Sequence, residues 1–106
     1  MTSGFEDRKK AAEAKWAHNE ELRFKVMARR NKLLGLWAAG EKGLKDAEAA
    51  DYAKEVVAAD FDEPGDEDVF RKVRADLPTS VSEQTIRGKM DELLTIAADQ
   101  IDKEAK

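Results

Sequence analysis

An all-α fold, a four-helix bundle with a flexible N-terminal arm, is expected from three features of the sequence. Apolar residues recur at helical spacing in four separate stretches. Gly and Pro fall between those stretches, so the connections are short. No stretch alternates with the period of two that a half-buried strand needs. The bundle is expected over residues 19–106 and the arm over residues 1–18. The chain has 106 residues, 40% of them charged and 42% hydrophobic. That balance suits amphipathic helices with charged outer faces around one modest core.

The first bundle helix is expected from about Glu20 to Ala39. Asn19 is placed to cap it, and Glu20 and Glu21 sit in the positive first turn. On a helical wheel Leu22, Val26, Leu33, Leu36 and Trp37 share one face, widened by Met27 and Leu34. An arc this broad predicts contact with two neighbouring helices. Arg29 falls in the middle of the arc and Arg30 at its edge. Arg29 is therefore expected to be partly buried and paired, with Glu55 or Asp60 as partner, since a buried guanidinium needs a carboxylate. Phe24, Ala28, Asn31, Gly35 and Ala39 form a second strip of mostly small residues. A mid-helix Gly costs about 1 kcal/mol against Ala. Gly35 therefore predicts the close approach of another backbone or of a ligand.

Gly40 and Gly43 bracket the end of this helix. A second helix is expected from about Asp46 to Phe61 on a stripe of Ala49, Ala53, Val56, Val57 and Phe61, with Tyr52 beside it. Pro64 and Gly65 stop it. Asp66 is expected to cap a third helix carrying Val69, Phe70, Val73 and Leu77, which ends at Pro78. Ser82 is expected to cap the fourth, with Val81 and Ile86 as a hydrophobic staple. Its stripe is Ile86, Met90, Leu93, Leu94, Ala97 and Ile101. Residues 1–18 carry only a thin stripe of Phe5, Ala12 and Trp16 among charges. An isolated helix of that length is marginal. The residues alone allow a frayed terminus or a segment that folds into a partner, with Phe5 and Trp16 as anchors.

Several chemistries are excluded or weak. With no Cys and one His there is no disulfide, no thiolate and little from which to build a nucleophile beside its base. An enzyme is not expected. His18 has no second His or nearby Cys for a metal. It reads as an exposed linker residue before it reads as a pH switch. The acidic run from Asp60 imitates a calcium loop through Gly65. Loop position five is Pro64, however, and position twelve is Arg71 rather than the bidentate Glu. Residues 35–42 imitate a phosphate loop, but no Ser or Thr follows Lys42 and no strand precedes Gly35. No apolar run approaches 18 residues and no secretory signal is visible, so a soluble, cytoplasmic protein without membrane insertion is expected. The net charge is −4. Residues 19–46 hold seven basic and four acidic side chains, and residues 47–68 hold one and nine. The two halves are expected to pack together, which leaves no free basic face for nucleic acid.

The run RRNKLLGLW over residues 29–37 carries a resemblance, continued by YAKEVV at 52–57, GDEDV at 65–69 and RGKMDELL at 87–94. The chain resembles the zeta subunits, alphaproteobacterial inhibitors of the F-type ATP synthase, over nearly its whole length. The resemblance implies a regulatory inhibitor whose N-terminal arm enters the catalytic head and blocks ATP hydrolysis. Partner contacts would then come from Phe5, Arg8, Lys9, Ala12, Trp16 and His18. The protein would be a monomer when free, and bound at the cytoplasmic face of the inner membrane when engaged.

The resemblance also implies that the bundle binds ADP or ATP as a regulatory ligand, with no cofactor required. Phosphates want Arg or Lys, and an adenine wants an aromatic shelf. Arg29, Arg30, Lys32, Trp37 and Arg87 are the residues expected to supply them. Pairing for Arg29 and a core position for Trp37 are the plainer readings of those two. The competing function is a nucleotide-sensing bundle without potent inhibitory activity.

Overall fold

The computed structural model describes residues 19–60 and 66–104. They form four helices: α1 over Glu20–Glu41, α2 over Asp46–Ala59, α3 over Glu67–Asp76 and α4 over Glu83–Glu104. The protein is all-α, and among the described residues there is no strand. The arm residues, Phe5 to His18 among them, lie outside the described residues, as does Phe61. None of the described helices is long and apolar enough to cross a membrane.

Local chemistry sets most of the helix ends. Asn19 caps α1: its Oδ1 accepts the Leu22 N–H at 3.0 Å, which satisfies one of the orphan donors of a first turn. At the other end Gly43 takes φ 80. That left-handed residue lets the Leu44 N–H reach the Ala39 carbonyl at 2.9 Å and the Gly43 N–H reach Gly40 at 3.1 Å. This is the Schellman closure, and a side chain at Gly43 would strain it. Leu44 then packs on the core cluster that contains Ala39. Ser82 caps α4 through its Oγ, which accepts the Thr85 N–H at 3.1 Å. Val81 and Ile86 pack in the same core cluster, as a staple requires. Asp66 departs from expectation. It precedes α3 but makes no side-chain cap, because its carboxylate is engaged elsewhere. Helix α2 ends at Ala59, short of the expected Phe61.

Helix α1 is the centre of the fold. It packs on α2 along one side and on α4 along the other, and it also meets α3. The main core gathers Leu34, Ala38, Val56, Val69, Val73, Ile86 and Met90. A second cluster joins Val26 to Ala97, Ala98 and Ile101 at the far end of the α1–α4 seam. The expected arc is rotated somewhat. Leu36, placed on the apolar face, is 39% exposed. Asn31, Gly35 and Ala39, placed on a separate strip, are buried.

The small strip exists because α2 crosses it. A Cβ on Gly35 would lie 2.6 Å from Ala53 Cα and 3.3 Å from Val56 Cβ. Another backbone, not a ligand, therefore accounts for the glycine. Gly35→Ala is expected to destabilise the protein by about 2 kcal/mol, because overpacking against main chain outweighs the gain in helix propensity. Urea unfolding measures it, and a variant as stable as the parent would show that the two helices can separate at little cost.

Candidate functional site

The neighbouring residues Arg29 and Arg30 meet opposite fates, reversing the sequence expectation. Arg30 is the buried one, at 1% exposure. Its Nε donates to Asn31 Oδ1 and its Nη2 to Asp66 Oδ1, each at 2.7 Å. A buried guanidinium needs both a counter-charge and hydrogen bonds, and it finds them in Asp66 just before α3 and Asn31 on its own helix. Arg29 is only half-buried. It donates to Gln100 at 2.8 Å and to both carboxylate oxygens of Glu104, at 2.8 and 2.9 Å. Its partner thus comes from α4, and neither Glu55 nor Asp60 pairs with it. Arg30→Ala, which a wheel marks as a mild probe of ligand binding, is instead a core mutation.

Arg30 faces two carboxylates: Asp66 before α3, which it bonds, and Asp60 at the end of α2, whose carboxyl its charge draws down. Burial raises the Asp60 carboxyl above its usual value. Asn31 and Arg30 pull it down, while Asp68 and Asp66 push it up. A raised folded-state value means that the folded protein holds this proton more tightly than the unfolded chain. Asp60 therefore favours folding at low pH, and that contribution is lost as pH rises through the raised value. Asp60→Asn is expected to increase stability near neutral pH and to change little at about pH 3, where both states are protonated. Parallel urea titrations at the two pH values check this; a neutral-pH loss would mean that the Asn31 and Arg30 attraction prevails.

A second polar group joins the α1 end, α2 and α3. The Tyr52 hydroxyl donates to Asp76 Oδ2 at 2.9 Å and Lys72 Nζ reaches the same oxygen at 2.8 Å. Lys42 Nζ lies 4.4 Å from the Tyr52 ring centroid. Burial and the Asp76 carboxylate raise the Tyr52 phenol, so it stays protonated and donating. Burial also pushes Asp76 up, but its bonds to Lys72 and Tyr52, with the charges of Lys72 and Lys42, together hold it below the usual carboxylate range.

The residues expected to bind nucleotide are divided by the fold. Arg30 is enclosed. Trp37 is half-buried on the main core, as the plainer reading had it, with Lys89 Nζ 5.8 Å from its ring. Arg87 stacks on Phe70, its Cζ 3.8 Å from the ring centroid, and forks onto Glu67 at 3.1 and 3.2 Å. Arg29 and Lys32 alone of the five line a common open groove. That groove, about 570 Å³, is lined by Leu22, Phe24, Lys25 and Ala28 of α1, by Val57 of α2, and by Ile101 and Glu104 of α4. Phe24 is 63% exposed, the most exposed large apolar side chain among the described residues. The wheel gave no signal of this, since it placed Phe24 with the small residues of the second strip; Val57 and Ile101 carried none either, because only packing brings them to the groove.

The described residues are a bundle of four helices whose open surface offers apolar side chains and cations. The family model for ATPase inhibitor subunit zeta matches residues 1–100, and the chain belongs to that family. A similar solved structure, described as a solution NMR structure, is 48% identical, with a TM-score of 0.74. The match covers 78% of this chain and 98% of that one. No curated protein matches. Family membership makes the chain a regulatory subunit acting on an ATPase.

Proposed function

We propose that this chain inhibits the F-type ATP synthase in the hydrolytic direction, with residues 1–18 entering between subunits of the catalytic head. The observation that carries the reading is the family match, which extends over residues 1–18 as well as the bundle. Phe5 and Trp16 supply apolar anchors, with Arg8, Lys9, Ala12 and His18 as further contacts. The action is steric: an inserted segment opposes rotation and no bond is made or broken. The free protein acts as a cytoplasmic monomer, and the engaged one sits at the cytoplasmic face of the membrane. Measuring ATP hydrolysis by the cognate head, with and without excess chain, tests this directly. Unchanged hydrolysis would exclude it.

A regulatory role for ADP or ATP on the bundle is part of the same proposal. The exposed Lys32 of α1, with the half-buried Arg29 beside it in the groove, supports it. A surface of side-chain cations, without the nest of backbone donors that tightens phosphate loops, binds weakly and loses affinity with salt. Amide shifts on α1 during an ADP titration, lost in Lys32→Ala, are the expected result. Binding of ADP by a chain that leaves hydrolysis unaffected would favour a nucleotide sensor without potent inhibition.

A further inference from the structure

We propose that the groove along the first half of α1 is a second docking surface, taking an acidic segment of the catalytic head that presents an apolar side chain. The inference rests on the reading that residues 1–18 bind that head. Three observations carry it. The first is the exposed Phe24 beside Leu22, Val57 and Ile101, a wall and floor able to take an apolar side chain. The ring and its apolar neighbours together form a continuous surface that a partner's apolar side chain can bury.

The second observation is charge. Lys25, Arg29 and Lys32 line the groove against one carboxylate, Glu104. Glu104 is already held by Arg29 at 2.8 Å. Lys25 reaches only the exposed Glu21, at 3.3 Å. The rim therefore keeps a positive excess that carboxylates of a partner complement, as contacts at an interface rim do. The third is continuity. The groove opens at Leu22, three residues beyond the Asn19 cap, and reaches Lys32 about 15 Å along the helix at 1.5 Å per residue. Whatever receives residues 1–18 is delivered to its mouth. The apolar part of the lining, from Leu22 and Phe24 to Val57 and Ile101, takes a protein side chain and leaves any phosphate contact to the cations of the rim.

Full-length variants test the proposal by inhibition of ATP hydrolysis. Phe24→Ala, and separately Lys25→Glu with Lys32→Glu, are expected to raise the half-inhibitory concentration about tenfold, as loss of an interface anchor or reversal of rim charge does. The melting temperature should hold, since all three side chains are exposed. The loss from the charge reversal should shrink as salt is added, and the loss from Phe24→Ala should not. Phe5→Ala, run in parallel, reports on residues 1–18 alone. If it weakens inhibition while both groove variants inhibit like the parent, the docking surface is overturned. Groove variants that inhibit like the parent yet no longer bind ADP assign the groove to the nucleotide and overturn it equally. A parent chain that does not inhibit removes the reading beneath the proposal, and the proposal with it.

Discussion

Removal of residues 1–18 is expected to leave the four helices folded and to weaken inhibition of ATP hydrolysis by about a hundredfold or more, since two anchors of about 1–3 kcal/mol each are lost together. The folded state should survive because every core residue described lies at or beyond Val26. The first cap, Asn19 to Leu22, is also retained. Far-UV dichroism and a hydrolysis assay read the two effects separately. A truncated chain that inhibits as well as the parent would remove the insertion mechanism. Trp16→Ala refines the boundary. It should weaken inhibition without moving the melting temperature. A large drop in melting temperature would place Trp16 within the bundle core and end the inhibitory segment before it.

Arg30→Ala is expected to destabilise the protein by about 3 kcal/mol, while Arg29→Ala costs less than about 1 kcal/mol. The first removes the largest fully buried side chain among the described residues and its bond to Asp66. It leaves Asn31 Oδ1 without its donor and Asp66 without its cation. The second breaks a pair whose carboxylate, on Glu104, is 56% exposed and readily hydrated. For a domain with a total stability of about 5–15 kcal/mol, the Arg30 loss should lower the melting temperature by roughly 15 °C. Arg30→Lys should recover only part of it, because an ammonium cannot fork between Asn31 and Asp66. Thermal melts of the three variants check the order. Equal effects of the two alanine substitutions would mean that Arg30 gains little from its burial.

The helices and most of their ends could be read from short stretches of sequence. Asn19, Gly43 and Ser82 act on backbone groups within a few residues, so their effect does not depend on the rest of the fold. Most of the stripe residues of α2, α3 and α4 likewise came out buried, with Ala49, Val57, Leu93 and Leu94 partly so, since a helix of this length folds only by covering its apolar face. Gly35 announced a close approach, though not by what. The capping role expected of Asp66 failed because a buried guanidinium competes more strongly for a carboxylate than a solvated helix end does.

The order of Arg29 and Arg30 was settled by neighbours far away in the chain. The two differ by one step of 100° on the helix. A wheel gives their angular separation, but the positions of Asp66 and Glu104 decide which direction is inward. The groove has the same origin. Leu22, Val57 and Ile101 belong to three helices and meet only after α1 packs between α2 and α4. Helical periodicity and caps are local properties written into adjacent residues. Partners for a buried charge, and the walls of a surface groove, arise from contacts across the chain, and their geometry exists only once the helices have packed.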